Sequence, residues 1–222
     1  MDNKRMISAR ALAGCLTLAV TADAGGFAAG VAAGWNVGPG LDASGTFADF
    51  TRDVPLSARL TVGYHGVEAG DPYAARRVFI NDNTNGDPRK SATAWLFRFD
   101  LMFPAFRLGG QQVHAFAGPR HARHSANFDY VGGNESFDVT SNPWGLGVGA
   151  ESRFAMGDAT SFFAQAGFDW YAKAKLAGHD TAYLPSGDHV NPRDGYGWSD
   201  ADGAIGQPRW EIVAMMGIGF RL

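Results

Sequence analysis

The sequence predicts an all-β protein, an eight-stranded antiparallel up-and-down transmembrane β-barrel. Three observations carry this expectation. Residues alternate with period two through five separate segments, the periodicity of a strand and not of a helix. In each segment the bulky apolar side chains share one face, and every charge falls on the other. No stretch after residue 25 approaches the run of about eighteen apolar residues that a spanning helix needs.

Composition narrows the field further. A chain of 222 residues is one domain or at most two. Its 30 glycines are roughly twice the usual share of about 7%, which disfavours long helices. A net charge of −3 leaves no electrostatic footprint for nucleic acid. The 13% aromatic content argues against disorder. A single Cys excludes a disulfide scaffold and a Cys-based zinc site.

Residues 1–24 read as an export signal, leaving 25–222 as the barrel. Lys4, Arg5 and Arg10 precede an apolar run from Ala11 to Ala22, and Ala22-Asp23-Ala24 is a small-x-small cleavage site. A competing reading takes Leu12-Ala13-Gly14-Cys15 as a lipobox with Cys15 as the lipidated residue.

The first strand is expected at 26–37, with Phe27, Ala29, Val31, Ala33, Trp35 and Val37 on one face. The Gly38-Pro39-Gly40 turn leads to a second at 44–51, whose alternation is poor and which the even strand number of a closed barrel demands. A third strand is expected at 56–68, with Leu56, Ala58, Leu60, Val62 and Tyr64 opposite Ser57, Arg59, Thr61 and Gly63. The fourth, 92–103, sets Trp95, Phe97, Phe99, Leu101 and Phe103 against Leu96, Arg98, Asp100 and Met102. Strands follow at 111–130, 136–154, 161–177 and 209–222. Connections 104–110 and 155–160 are short, whereas 69–91 and 178–208 are long and polar. Short turns belong to the periplasm and long loops to the outside, which places both termini in the periplasm.

Apolar rings are expected to face lipid: Trp35, Tyr64, Trp95, Phe103, Trp144, Phe168, Trp170, Trp210 and Phe220. The charges Arg59, Arg98, Asp100, Glu151, Arg153, Asp169, Lys173, Lys175, Glu211 and Arg221 are expected to line the lumen. A charge on the lipid side would cost about 2–4 kcal/mol at the midplane. Inside, charges must pair, so a plug of ion pairs is expected, with Glu211 as a residue whose loss destabilises the barrel. A soluble barrel with the faces reversed is the competing architecture.

With an export signal, eight alternating strands and a last strand ending Gly219-Phe220-Arg221-Leu222, the chain resembles the small outer-membrane β-barrel proteins of the outer membrane protein A-like transmembrane domain group. That family usually ends in an aromatic residue; here Phe220 stands two before Leu222, on the same face. The resemblance implies an outer-membrane location, contact with outer-membrane lipids and lipopolysaccharide, and engagement of the barrel-assembly machinery through the final strand. A monomer is expected, with no cofactor, no metal and no nucleic-acid partner.

Function is expected to be structural or surface-interacting, through loops 69–91 and 178–208, and not enzymatic. Two alternatives are a narrow solute channel and a lipid-modifying hydrolase. Outer-membrane lipid A deacylases use a His-x-Ser-Asn stretch with a Glu, and this chain offers His114, His121, His124-Ser125-Ala126-Asn127 and Glu135. Adjacent strand residues face opposite ways, which sets His124 against that role for Ser125. Asn81-Asp82-Asn83-Thr84-Asn85-Gly86-Asp87 fails the calcium-loop pattern, since Ala92 stands at its twelfth position.

Overall fold

The protein is described here from a computed structural model covering residues 26–48, 55–133 and 135–222. The expected export signal and lipobox, and residues 49–51 of the expected second strand, lie outside the described residues.

In chain order the elements are β1 (Phe27–Trp35), β2 (Pro39–Phe47), β3 (Ser57–Val67), α1 (Pro72–Phe79), β4 (Asp87–Leu108), β5 (Gln111–Val131), β6 (Glu135–Ser141), β7 (Trp144–Ala155), β8 (Thr160–Tyr171), β9 (Leu176–Gly178), β10 (Thr181–Tyr183), α2 (Trp198–Ala204) and β11 (Trp210–Arg221). Eight strands close an antiparallel ring in the order β1-β2-β3-β4-β5-β7-β8-β11, and β11 pairs back onto β1 from Ala28↔Arg221 to Trp35↔Ala214. The fold is thus an eight-stranded antiparallel β-barrel.

The strands place bulky apolar side chains outward. Leu60, Tyr64, Trp95, Phe97, Trp144, Leu146, Phe168, Trp210 and Ile212 are all exposed. Tyr64 meets Trp95 at 5.0 Å between ring centroids and Trp170 meets Trp210 at 6.1 Å, at the end from which the long connections emerge, called the upper rim below. Phe154 and Phe162 meet at 6.1 Å at the lower end. On β11 the belt runs from Trp210 to Phe220. At ~3.3 Å rise per residue and ~40° tilt that span is about 25 Å, the height of the apolar band on bacterial outer-membrane barrels.

The second strand departs from expectation in its limits. It starts at Pro39, and the reversal is carried by Asn36, Val37 and Gly38 instead of by Gly38-Pro39-Gly40. Pro can open a strand because the amide hydrogen it lacks is not needed at the first position. The expected strand 136–154 is two strands, β6 and β7, separated by Asn142 and Pro143. Both pair with β5 and keep one register across the break, His124↔Ser141 above it and His121↔Trp144 below. Pro143 cannot donate to the ladder, but its carbonyl still accepts from Ala122 N at 3.0 Å.

The expected strand 161–177 ends at Tyr171. Residues beyond it leave the ring, and β9 pairs instead with β6 at Val139↔Gly178. Strand β4 is longer than expected and joins β5 through Gly109-Gly110, both at positive φ (57° and 84°), where a side chain would be strained.

The long connections are not solvated loops. Upper β4 and β5, with β6, β9, β10, α1 and α2, build a cap with its own dry core. Ala75, Val78 and Phe79 of α1, Ala126, Phe128 and Tyr130 of β5, Phe137 and Val139 of β6, and Leu176, Tyr183, Ala201 and Ile205 are all buried together. Asp71 caps α1 by accepting from Tyr73 N (2.8 Å) and Ala74 N (3.1 Å), and Pro72 suits its first position. Tyr183 Oη donates to Val78 O at 2.8 Å, and Trp198 Nε1 donates to Ala174 O at 2.8 Å.

Candidate functional site in the barrel interior

The side chains that alternate with the apolar belt point into the ring, and on β2, β3, β4, β5, β7 and β8 these include charges. Arg59 (β3) reaches Asp100 (β4) at 3.1 Å and also pairs with Glu151 (β7). Glu151 takes Arg153 Nε at 2.6 Å. Asp100 takes Arg120 (β5) at 2.8 Å, and Arg120 Nε donates to Asp169 (β8) at 2.7 Å. Asn36 Nδ2 extends the row by donating to Asp169 at 3.2 Å. A second group joins Arg98 (β4) to Asp42 (β2), with His65 Nε2 3.0 Å from the same carboxylate. Four arginines therefore face four carboxylates, and all but Arg153 are buried.

Glycine makes room for this arrangement. A Cβ on Gly147 would overlap both Asp169 Oδ1 and Arg120 Nε, and one on Gly63 would overlap Asp42. Beside the charges, Ala32, Phe163, Val213 and Met215 fill the wall formed by β1, β8 and β11. Toward the upper rim, Ala94, Leu96, Ala122 and Tyr171 form an apolar layer, and above it stands the core of the cap. Ions taken from water are tolerated in such surroundings only when paired and hydrogen-bonded.

Of the charges expected in the lumen, Arg59, Arg98, Asp100, Glu151 and Asp169 are buried there, and Arg153 is 30% exposed. Glu211 is half-buried and accepts from Arg209 N at 3.0 Å; no ion pair holds it among the described residues. Lys173 and Lys175 correct the expectation, because β8 ends before them and neither points into the ring. Lys173 Nζ instead lies 5.0 Å from the Trp198 ring centroid. Arg221, at the lower end of β11, is exposed as well. The nine aromatics expected on the outer face, Trp35, Tyr64, Trp95, Phe103, Trp144, Phe168, Trp170, Trp210 and Phe220, are exposed.

Sequence reading missed Arg120, Asp42, His65 and Asn36. His65 could have been found, since it continues the phase of Arg59, Thr61 and Gly63 by one step. Asp42 lay before the expected start of the second strand. Arg120 was hidden because the alternation of β5 is blurred at its lower end, where β4 bulges between Pro104 and Phe106 and Val113 is buried along with Phe116, three residues away.

The residues of the hydrolase alternative are not brought together. His121 faces outward, stacked on Trp144 at 4.5 Å, while its neighbour in phase, Ser125, follows buried His124 on the opposite face. Glu135 is engaged in the cap by Arg76 (2.6 Å) and Asn81 (2.8 Å). In the 81–87 segment Asn83 N donates to Asn81 Oδ1 and Asn85 N to Asn83 Oδ1, so two asparagines fold the loop upon itself.

His124 lies just above the ring of Trp95 and Trp144, where β5 pairs with β6. Burial pushes its pKa down to about 4 from the usual 6.5, because the imidazolium would sit in an apolar pocket. The neutral ring is therefore favoured by folding. Its contribution is complete above pH 6.5 and is lost as the pH falls through 4. Cap unfolding, followed by limited proteolysis, is expected to accelerate across that interval, and His124→Leu is expected to flatten the dependence. An unchanged profile in the variant would refute this.

No family model matches the chain, and no curated protein matches it. Among solved structures, the major outer membrane protein from Thermus thermophilus is similar at a TM-score of 0.73 and 20% identity, covering 90% of this chain and 100% of that one. CarO2 of Acinetobacter baumannii aligns at a TM-score of 0.42 and 13% identity, covering 90% and 98%. Neisserial surface protein A aligns at 0.38 and 11%, covering 89% and 95%. The ring of eight strands, its outward apolar belt and the first of these likenesses together identify the fold as that of the small outer-membrane β-barrels.

Proposed function

We propose that the chain is an outer-membrane protein, exported by its N-terminal segment, with a structural or surface-interacting role and a lumen plugged by ion pairs. The observation that carries this reading is inverted polarity. Leu60, Leu146 and Ile212 meet the surroundings while Arg120, Glu151 and Asp169 are fully enclosed. In water that arrangement would expose a large apolar band and bury charge. In a bilayer lipid covers the band, and inside the ring pairing offsets the cost of enclosing charge. The cap then projects outside the cell and the Gly109-Gly110 turn lies in the periplasm. Segments 69–91 and 178–208 supply the contact surface, folded into the cap. The enclosed pairs and the apolar layer above them also weigh against the channel alternative.

Fractionation with heat-modifiability tests the placement. The unheated protein is expected in the outer membrane with shifted gel migration, and recovery from the soluble periplasm would refute it. Planar-bilayer recording is expected to give no steady conductance; open-pore currents would refute the plug. Phe99 sits mid-belt opposite Leu60, so Phe99→Arg is expected to cost about 2–4 kcal/mol in vesicles, read from urea titration.

A further inference from the structure

The wall of the molecule carries a notch of about 280 Å³ just above the aromatic rim, lined by Thr140, Asn142, Ala174, Lys175 and Ala177. It arises where β6 and β7 part at Pro143 and the chain after β8 crosses to β9. Its volume is near the lower end of the roughly 300–1,000 Å³ of ligand clefts.

Register sets Asn142 and Lys175 of this notch in one row with Arg123 beside it. His124↔Ser141 and His121↔Trp144 bracket Arg123 and set it opposite Asn142. Thr140↔Ala177 continues two residues toward the barrel to set Lys175 opposite Asn142 from the other side. All three face outward, because the residues next to them in sequence, His124, Ser141 and Leu176, are buried. At ~4.8 Å between strands, Arg123 and Lys175 start roughly 10 Å apart, within the combined reach of two long side chains.

Four other cations of the cap are already paired. Lys90, Arg76, Arg193 and Arg209 each hold a carboxylate, namely Glu68, Glu135, Asp82 and Asp202. Arg123 and Lys175 have no ion-pair partner among the described residues. The row stands one step above Trp144 and level with Trp95, the partner of Arg123. Trp rings occupy the depth of lipid headgroups.

We propose that Arg123, Asn142 and Lys175 form a site for the phosphate of an outer-leaflet lipid headgroup. A guanidinium and an ammonium converging on one phosphate supply charge-assisted hydrogen bonds, and the Asn142 amide adds a neutral donor between them. The acyl chains of the same lipid would lie along Trp144, Leu146 and Val148, which are exposed directly below. Phosphate provides the recognition, and the apolar belt selects a lipid over the free ion.

This site rests on the membrane placement proposed above, and the test reads the two separately. The full chain is refolded into phosphatidylcholine vesicles containing a minor fraction of lipid A, either phosphorylated or dephosphorylated. Insertion is scored by heat-modifiability, and lipid retained after detergent extraction by native mass spectrometry. The wild type is expected to retain phosphorylated lipid A over the dephosphorylated form. Arg123→Gln with Lys175→Gln is expected to insert normally and retain about tenfold less. Arg89→Gln, on upper β4, is expected to change nothing, and each single Gln variant provides the same readout if the double variant folds poorly. Equal retention by wild type and double variant would overturn the site. Displacement of the lipid by millimolar inorganic phosphate would overturn the lipid as occupant. Failure of the wild type to insert would overturn the membrane placement and this site with it.

Discussion

Asp100→Leu is expected to destabilise the barrel by about 3–5 kcal/mol, the cost of removing one partner from a buried ion pair. Asp100 is fully enclosed and holds two arginines, Arg59 at 3.1 Å and Arg120 at 2.8 Å. Leucine fills similar volume, so packing loss is small and the cost comes from two cations short of counter-charge. Each keeps one carboxylate, Glu151 or Asp169, which bounds the loss. Two companions sharpen the result. Combining Asp100→Leu with Arg59→Leu is expected to recover part of the stability, because a cation leaves with its partner. Arg221→Leu, at an exposed position, is expected to stay within about 0.5 kcal/mol of wild type. The measurement is the urea midpoint of vesicle-folded protein. A loss under about 1 kcal/mol for Asp100→Leu would mean that water reaches the network.

Phe128→Ala is expected to remove a further large share of stability, about 3–5 kcal/mol, but from the cap. Phe128 is fully buried and packs on Phe137 at 5.4 Å between centroids, and Phe137 in turn meets Tyr130 and Phe79. The cavity would lie where α1, β5 and β6 converge. Residues 178–208 are then expected to become sensitive to added protease, while heat-modifiability of the ring persists. Loss of both together would show that cap and ring unfold as one unit.

The ring was legible in the sequence because each of its walls is two-sided. Trp95, Phe97 and Phe99 alternate with Leu96, Arg98 and Asp100, and the pleat converts that pattern into outside and inside without help from distant residues. Six of the eight charges of the ionic interior followed from the same phase. The rest depended on strand limits and irregularities that alternation cannot fix: Asp42 on the early start of β2, Arg120 behind the blurred alternation of β5 opposite the β4 bulge. The cap was not legible. Phe79, Tyr130, Leu176 and Tyr183 come from four separate segments rich in Asn, Asp and Gly, and only folding brings them into one core. Polar composition there reflects the surface of a small domain, not the absence of one. Lys173 and Lys175 were misplaced for a related reason. Alternation continues through Ala172, Ala174 and Leu176, but these side chains serve the cap after the chain has left the ring.

The β5 ladder runs unbroken in register from the ring into the cap, and this has a practical consequence. Whatever is grafted onto the far end inherits a stiff mount. The turn at 185–188, exposed between Leu184 and the Ala182↔Val190 bridge, is the natural insertion point. A foreign epitope spliced there would be displayed at a fixed height and orientation, held by a beam anchored beneath it.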